Sequence, residues 1–260
     1  MAKLDPDSKS VTARALAVLD AFDGAHRHQT LASIARRSNL PLTTTHRFVG
    51  QLVEAEALVR CADGSYEIGS KLWRLGLLAS VQADLRELAL PYMEDVFQLG
   101  IDAVQIGVLD GVRCLIIDRI AGSRSMSVLS RAGARLPLHA SGVGKVLLAN
   151  GGPELQEAVL LSLEKYTDQT ITDARELKKQ LDQIKHQGFS TTKEELAIGA
   201  ISLGVPLTGY GGKVIAALGV VIPAKTKDTS HLIPVLKVVG AALSKKLAGA
   251  GMVEPSKETF

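Results

Sequence analysis

The 260-residue chain is poor in several things, and each shortage removes a class of protein. Aromatic residues make up only 4%, so any core must rest on Leu, Val, Ile and Ala. The two cysteines, Cys61 and Cys114, lie far apart and outside the usual metal-ligand spacings. That excludes a disulfide framework and predicts reduced thiols in a cytoplasmic protein. No apolar run approaches the roughly 18 residues that cross a bilayer. The opening Met1-Ala-Lys-Leu-Asp-Pro-Asp7 lacks the apolar stretch of a signal peptide. An excess of one charge is missing too: 30 Lys and Arg face 27 Asp and Glu, which permits nucleic-acid binding without demonstrating it.

Catalytic signatures are equally scarce. The six histidines show no HExxH or comparable metal spacing, and no GxSxG nucleophile elbow occurs. Gly142-Val-Gly-Lys145 lacks both the four-residue spacer and the following hydroxyl of a phosphate loop. Glu194-Glu195 reads as a solvated loop pair. No catalytic residue, metal or cofactor is therefore expected, and an enzyme is the weaker reading.

What is present is pattern. Val11, Ala15, Leu16, Val18, Leu19 and Phe22 recur at helical intervals, one apolar face of a first helix. A second helix fits Leu31 to Arg37 with Thr30 as N-cap, and Asn39-Leu40-Pro41 breaks it. A third runs from near Thr43 to about Glu56, burying Phe48 and Leu52. Two short helices across a tight turn make a helix-turn-helix. Thr43, Thr44, Thr45, His46 and Arg47 open the third helix, where side chains would meet base edges and phosphates in a major groove. Arg36 adds basic charge beside them. Two short alternating segments then flank Asp63-Gly64, a two-residue hairpin signal. A hairpin after a helix-turn-helix is a wing, with Arg60, Ser65 and Tyr66 as its contact candidates. The competing reading is a protein-interaction module whose arginines only solvate a surface.

Leu72, Trp73, Leu75, Leu77 and Leu78 are too dense for a solvated linker. They suit either a connecting helix that meets a second subunit or an ordinary intradomain helix. Asp84-Leu-Arg-Glu87 resembles a capping box for the next helix, with Leu88, Tyr92, Val96 and Leu99 inward. Beyond it, strands are expected over Ala103–Leu109, Val112–Ile117, Met126–Ser130, Gly188–Thr192, Ile201–Pro206 and Val214–Ile222. Helices fit Gly142–Ala149, Pro153–Leu161, Ala174–Gln187 and about His231–Leu247. Hairpins mixed with helices give an α+β sensor-like domain with an antiparallel sheet. The segment His139–Lys145 either offers helix-start amides to a ligand carboxylate or uses Ser141 as a cap and its glycines for close packing.

Several segments together carry a resemblance: Val11-Thr-Ala-Arg-Ala-Leu16, Leu40-Pro-Leu-Thr-Thr-Thr-His-Arg47, Tyr66-Glu-Ile-Gly69, Asp84-Leu-Arg-Glu-Leu-Ala89, the run from Arg131 to Lys145 and the run from Gly188 to Gly199. In their order and spacing the chain resembles IclR-type transcriptional regulators from about Val11 to Leu247. The resemblance implies a winged helix-turn-helix over 1–69, a linker helix over 70–83 and a GAF-like effector domain over 84–260. It implies double-stranded operator DNA as partner, a small-molecule effector, and homodimers able to pair into tetramers. Family effectors are commonly small carboxylic or aromatic acids. Carried onto this chain, the pocket would use Leu129, Ala140, Ser141, Gly142, Val143, Thr192, Ser202, Gly219 and Val221. Thr192-Lys193 stands where two acidic residues are frequent. Gly219 and Val221 stand where binders of small keto acids tend to carry serines. Both departures point to a larger or more apolar ligand. Leu42 replaces a frequent basic residue, which would remove one phosphate contact.

Overall fold

Side-chain caps and left-handed stops set the first helices. In the computed structural model, which describes residues 10–24, 26–76, 83–122, 131–226 and 229–253, α1 spans Val11–Leu19 and α2 spans Leu31–Ser38. Ser10 caps α1, and the Thr30 hydroxyl accepts the Ser33 amide 3.3 Å away to open α2. Asn39 ends α2 in the left-handed region (φ 54°), a conformation its short polar side chain tolerates. Pro41 then starts α3, Leu42–Glu54. The chain divides into two compact units, Met1–Val81 and Gln82–Phe260.

Val18, Ala21, Ile34, Leu40, Phe48, Val49 and Leu58 form the core of the first unit. The buried face of α1 is not quite the expected one: Val11 and Leu16 are exposed, while Ala13 and Val18 turn inward. The wing pairs β1 (Leu58–Arg60) with β2 (Tyr66–Ile68) in antiparallel register. Its turn is not the expected two-residue one. The Gly64 amide donates to the Cys61 carbonyl at 3.0 Å, and the Cys61 amide to the Ser65 carbonyl at 2.8 Å. With Gly64 at φ 82°, this is a three-residue loop over residues 62–64 whose last member is left-handed. A bridge between Gln29 and Tyr66 adds the segment before α2 as a third short strand on the hairpin. The unit closes with α4, Ser70–Gly76; the rest of the expected connector lies outside the described residues.

The second unit opens with α5, Ala83–Phe97, which buries Leu85, Ala89, Met93 and Val96. Asp84 sits within its first turn, and Leu99 is exposed beyond its end, contrary to expectation. Next come β3 (Ala103–Asp110), β4 (Arg113–Ala121), β5 (Arg135–Pro137), α6 (Gly142–Asn150), α7 (Pro153–Leu160) and α8 (Ala174–Gln187). They are followed by β6 (Ser190–Lys193), β7 (Ala200–Thr208), β8 (Val214–Pro223) and α9 (Leu232–Gly249). The strand expected over Met126–Ser130 lies outside the described residues, and β5 was not foreseen.

One antiparallel sheet runs β5-β4-β3-β8-β7-β6. Because side chains alternate along a strand, β3 and β8 serve two cores. Val104, Ile106, Leu218 and Val220 pack with α5 and α9, while Ala217 joins Val143, Val146, Leu177 and Leu181 beneath α6 and α8. A sheet covered on both faces explains why these strands read as nearly continuous apolar runs. The result is a GAF-like α+β domain. Helix α8 shows the local logic most clearly. Asp173 Oδ1 accepts the Arg175 and Glu176 amides at its start, Leu177, Leu181 and Ile184 point inward, and left-handed Gly188 ends it.

Candidate DNA interface and ligand pocket

Helix α3 is divided cleanly by its 3.6-residue period. Thr45, Phe48 and Val49 are buried, whereas Thr43, His46, Arg47 and Gly50 form an exposed stripe at i, i+3, i+4 and i+7. Thr44 is half-buried at its edge. Thr45 must be withdrawn from the contact candidates: its hydroxyl donates to the Pro41 carbonyl at 3.1 Å, and the residue is fully covered. The Arg47 guanidinium lies 5.1 Å from the Phe48 ring centroid, which steadies its base while leaving it outside. Arg36 is exposed. Its neighbour Arg37 is a structural clamp, with Nε donating to the Ala21 carbonyl at 2.7 Å and a terminal nitrogen to Asp23 at 2.5 Å.

In the wing, Arg60 is exposed. Ser65 is not available to a partner, because it is buried and its hydroxyl donates to Asp63 Oδ1 at 2.6 Å. Tyr66 is half-buried against the helical core.

In the second unit a cavity lies between the start of α6, the sheet and the loop after β6. Gln105, Leu136, Ala140, Ser141, Thr192, Glu195, Leu196, Ala197, Ala200, Ser202 and Val221 line it. Five of the expected residues (Ala140, Ser141, Thr192, Ser202 and Val221) thus share one cavity. Gly142, Val143 and Gly219 stand behind its wall, and Leu129 lies outside the described residues. The glycines are there for packing. A Cβ on Gly142 would come 2.6 Å from Ser202 Oγ, one on Gly219 2.5 Å from Val143 Cγ1, and one on Gly204 2.8 Å from the Gly142 carbonyl oxygen. Helix α6 can approach the sheet this closely only without those side chains.

Ser141 occupies the N-cap position of α6 yet does not cap it; its hydroxyl donates to the Pro137 carbonyl at 2.7 Å. His139 is equally committed, with Nε2–H donating to the Glu164 carbonyl at 2.9 Å. Burial holds its imidazole below the usual histidine range. The two side chains therefore make no nucleophile–base pair.

The expectation that Glu195 is solvated is wrong. It is buried and receives the Lys145 ammonium, whose Nζ lies 2.7 and 2.8 Å from the two carboxylate oxygens and 2.7 Å from Gln180 Oε1. Desolvation pushes the Glu195 carboxyl up and the Lys145 ammonium down, and each counters that push on the other. A lysine inside the apolar run Gly142-Val-Gly-Lys-Val-Leu-Leu148 was the available signal, since a buried ammonium needs a buried anion.

Gln105 was also missed. It is buried, and its Oε1 and Ser202 Oγ have no hydrogen-bond partner among the described residues. A buried polar group left unpaired costs about 1–3 kcal/mol, so two of them facing one cavity suit it to an ordered water or another polar guest. In sequence, the only sign was one amide within the apolar strand Ala103–Leu109.

The comparisons with known proteins agree with this layout. The family model described as the bacterial transcriptional regulator IclR C-terminal domain matches residues 78–245, and the IclR helix-turn-helix domain matches residues 11–60. The chain is 30% identical over 253 residues to the Pca regulon regulatory protein of Pseudomonas putida, covering 94% of this chain and 86% of that one. It is 28% identical over 218 residues to the HTH-type transcriptional regulator KipR of Bacillus subtilis, covering 82% and 87%. Among solved structures, an IclR homolog from Microbacterium hydrocarbonoxydans complexed with 4-hydroxybenzoate is 34% identical, with a TM-score of 0.83 over 92% of this chain and 100% of that one. These relatives are regulators rather than enzymes, and among the described residues no helix is long and apolar enough to cross a membrane. The chain belongs to the IclR family of transcriptional regulators.

Proposed function

We infer that this regulator holds its operator as a homodimer and changes its grip when a small organic acid with an apolar body enters the second unit. The observation that carries this reading is the pair of buried, unpartnered polar atoms, Gln105 Oε1 and Ser202 Oγ, that line a cavity whose wall also includes Leu136, Leu196 and Val221. An amide and a hydroxyl can orient a carboxyl or phenol group, while the aliphatic wall accepts a ring. The start of α6 adds amides that no side chain caps, a favourable setting for a carboxylate. The 4-hydroxybenzoate in the Microbacterium relative belongs to this chemical class. The cavity is more polar than the replacement of serines at Gly219 and Val221 suggested, because Gln105, Thr192 and Glu195 contribute to its wall. Its volume is about 30 Å³, enough for a water or two, so a ring enters only as the wall moves.

On the DNA side, Thr43, His46, Arg47 and Arg60 would make the contacts, with Arg36 reaching phosphate. Trp73 and Leu75, 66% and 53% exposed on α4, supply an apolar face for the second subunit. Such a regulator works in the cytoplasm, beside the chromosome. The experiment is calorimetric titration of the full chain with hydroxybenzoates and with pyruvate or glyoxylate, followed by gel shift on the operator with and without the ligand that binds. Binding of an aromatic acid that alters operator affinity supports the reading. Tight binding of glyoxylate or pyruvate with none of the aromatic acids would overturn the ligand class.

A further inference from the structure

The wing carries a second constellation that the DNA-binding role does not use. His28, Cys61 and Glu67 come from three separate segments, yet their ligand atoms all lie within 4.8 Å of one another. His28 Nδ1 is 3.7 Å from Cys61 Sγ and 3.6 Å from a Glu67 carboxylate oxygen. The backbone explains the convergence. Arg60 pairs with Tyr66, and Tyr66 bridges Gln29, so these three residues form one row across a three-stranded patch. Glu67 and His28 lie one residue off that row on one side and Cys61 one residue off on the other, so all three project from its opposite face. Hydrogen bonds of 2.8–2.9 Å between Gln29 and Tyr66 and of 2.8 Å from the Cys61 amide to the Ser65 carbonyl fix all three positions.

The two separations measured from His28, 3.6 and 3.7 Å, suit a shared ion. At 3.6 Å the imidazole and carboxylate are too far apart for a good hydrogen bond. A tetrahedral zinc with Zn–S near 2.3 Å and Zn–N or Zn–O near 2.0–2.1 Å places its ligand atoms roughly 3.3–3.6 Å apart. The donor set, one thiolate, one imidazole and one carboxylate, selects a borderline-soft divalent cation over calcium or magnesium. Cys61 and Glu67 are half-buried while His28 is exposed, so the fourth position opens to solvent.

We propose that His28, Cys61 and Glu67 form a binding site for a zinc-class divalent cation that ties the wing hairpin to the strand entering α2. Such an ion links residues far apart in sequence and stabilises the first unit in proportion to its occupancy.

The test uses the full-length, untagged, reduced protein after treatment with a chelator. Titration with Co²⁺ should give a thiolate-to-cobalt charge-transfer band together with the intense visible bands of a tetrahedral site, saturating at about one equivalent per chain. Zn²⁺ should displace it. Cys61→Ser should abolish the charge-transfer band, because the other thiol, Cys114, is buried in the second unit, where desolvation holds it well above the usual thiol range. His28→Gln and Glu67→Gln should each weaken Zn²⁺ binding at least about tenfold, the loss usual even for partners one shell further out. Both positions are surface substitutions, so circular dichroism should confirm an unchanged fold. Absence of the charge-transfer band, its survival in Cys61→Ser, or Zn²⁺ affinity unchanged in both His28→Gln and Glu67→Gln would overturn the proposal.

Discussion

Lys145 and Glu195 form an ion pair inside the second unit, with the ammonium wholly covered and both carboxylate oxygens within 2.8 Å of it. Glu195 also lines the cavity proposed for the effector, so one carboxylate joins helix α6, at its buried core side, to the loop after β6. Removing one partner leaves the other charged and desolvated. Lys145→Met is expected to cost about 3–5 kcal/mol in chemical denaturation. Lys145→Met combined with Glu195→Leu should recover much of that loss, because neither charge then remains buried. A double variant as unstable as the single one would show that the side chains matter for shape rather than charge.

Gln105 leads to a different outcome. Its Oε1 is buried without a partner, so Gln105→Leu removes an unsatisfied acceptor and should leave stability unchanged or slightly raised. The same substitution should weaken the effector identified by calorimetry at least about tenfold, the equivalent of 1.4 kcal/mol. If stability falls while affinity holds, Gln105 is a packing residue.

Arg47 stands on the exposed stripe of α3 and takes no part in the core. Arg47→Ala should weaken operator binding by about 1–3 kcal/mol in gel shift while leaving effector affinity and thermal stability intact. Thr45→Ala is the contrasting case. Because Thr45 is buried and bonded to the Pro41 carbonyl, its effect should appear in stability, with any change in DNA affinity following from that.

The imidazole of His139 predicts a dependence on pH. Burial lowers its folded-state value below the ordinary 6.5, so the folded chain binds fewer protons than the unfolded chain as pH falls through that region. Stability from this group is therefore complete above pH 6.5 and is lost as pH drops toward the folded value. Denaturation midpoints at pH 7.5 and 5.5 should differ less in His139→Gln than in the parent. Equal slopes would assign the loss to other groups.

Much of this layout was legible in the sequence, because helix stripes and strand runs follow from local periodicity. The α8 boundaries, most helices and strands of the second unit except β5, and the helix-turn-helix with its break at Asn39-Leu40-Pro41 could be read that way. The misreadings have separate causes. Leu99, Val11 and Leu16 are apolar but exposed, because a stripe does not say where a helix stops facing its core. Thr45 and Ser65 looked like contact residues by type, but their hydroxyls serve local backbone and turn geometry. The pocket's polar floor was hidden for a deeper reason. Gln105 and Glu195 are separated by 90 positions, and only the folded sheet brings them to one cavity, while Lys145, 50 positions before Glu195, pairs with it from α6.

The loop after β6 has a consequence for how such regulators diversify. Glu194, held at φ 57°, begins it, and its carboxylate accepts the Gly199 amide at 2.8 Å, closing the loop on itself. Thr167 and Thr170 tie the Glu194 and Glu195 carbonyls from outside. The opposite wall is held by close packing, since Gly142, Gly204 and Gly219 leave α6 no room to shift toward the sheet. Within this frame the variable part is side-chain size at Leu196 and Ala197, which line the cavity. For the effector site proposed above, ligand size can be retuned at these two positions without breaking the Lys145–Glu195 pair or the glycine contacts of α6.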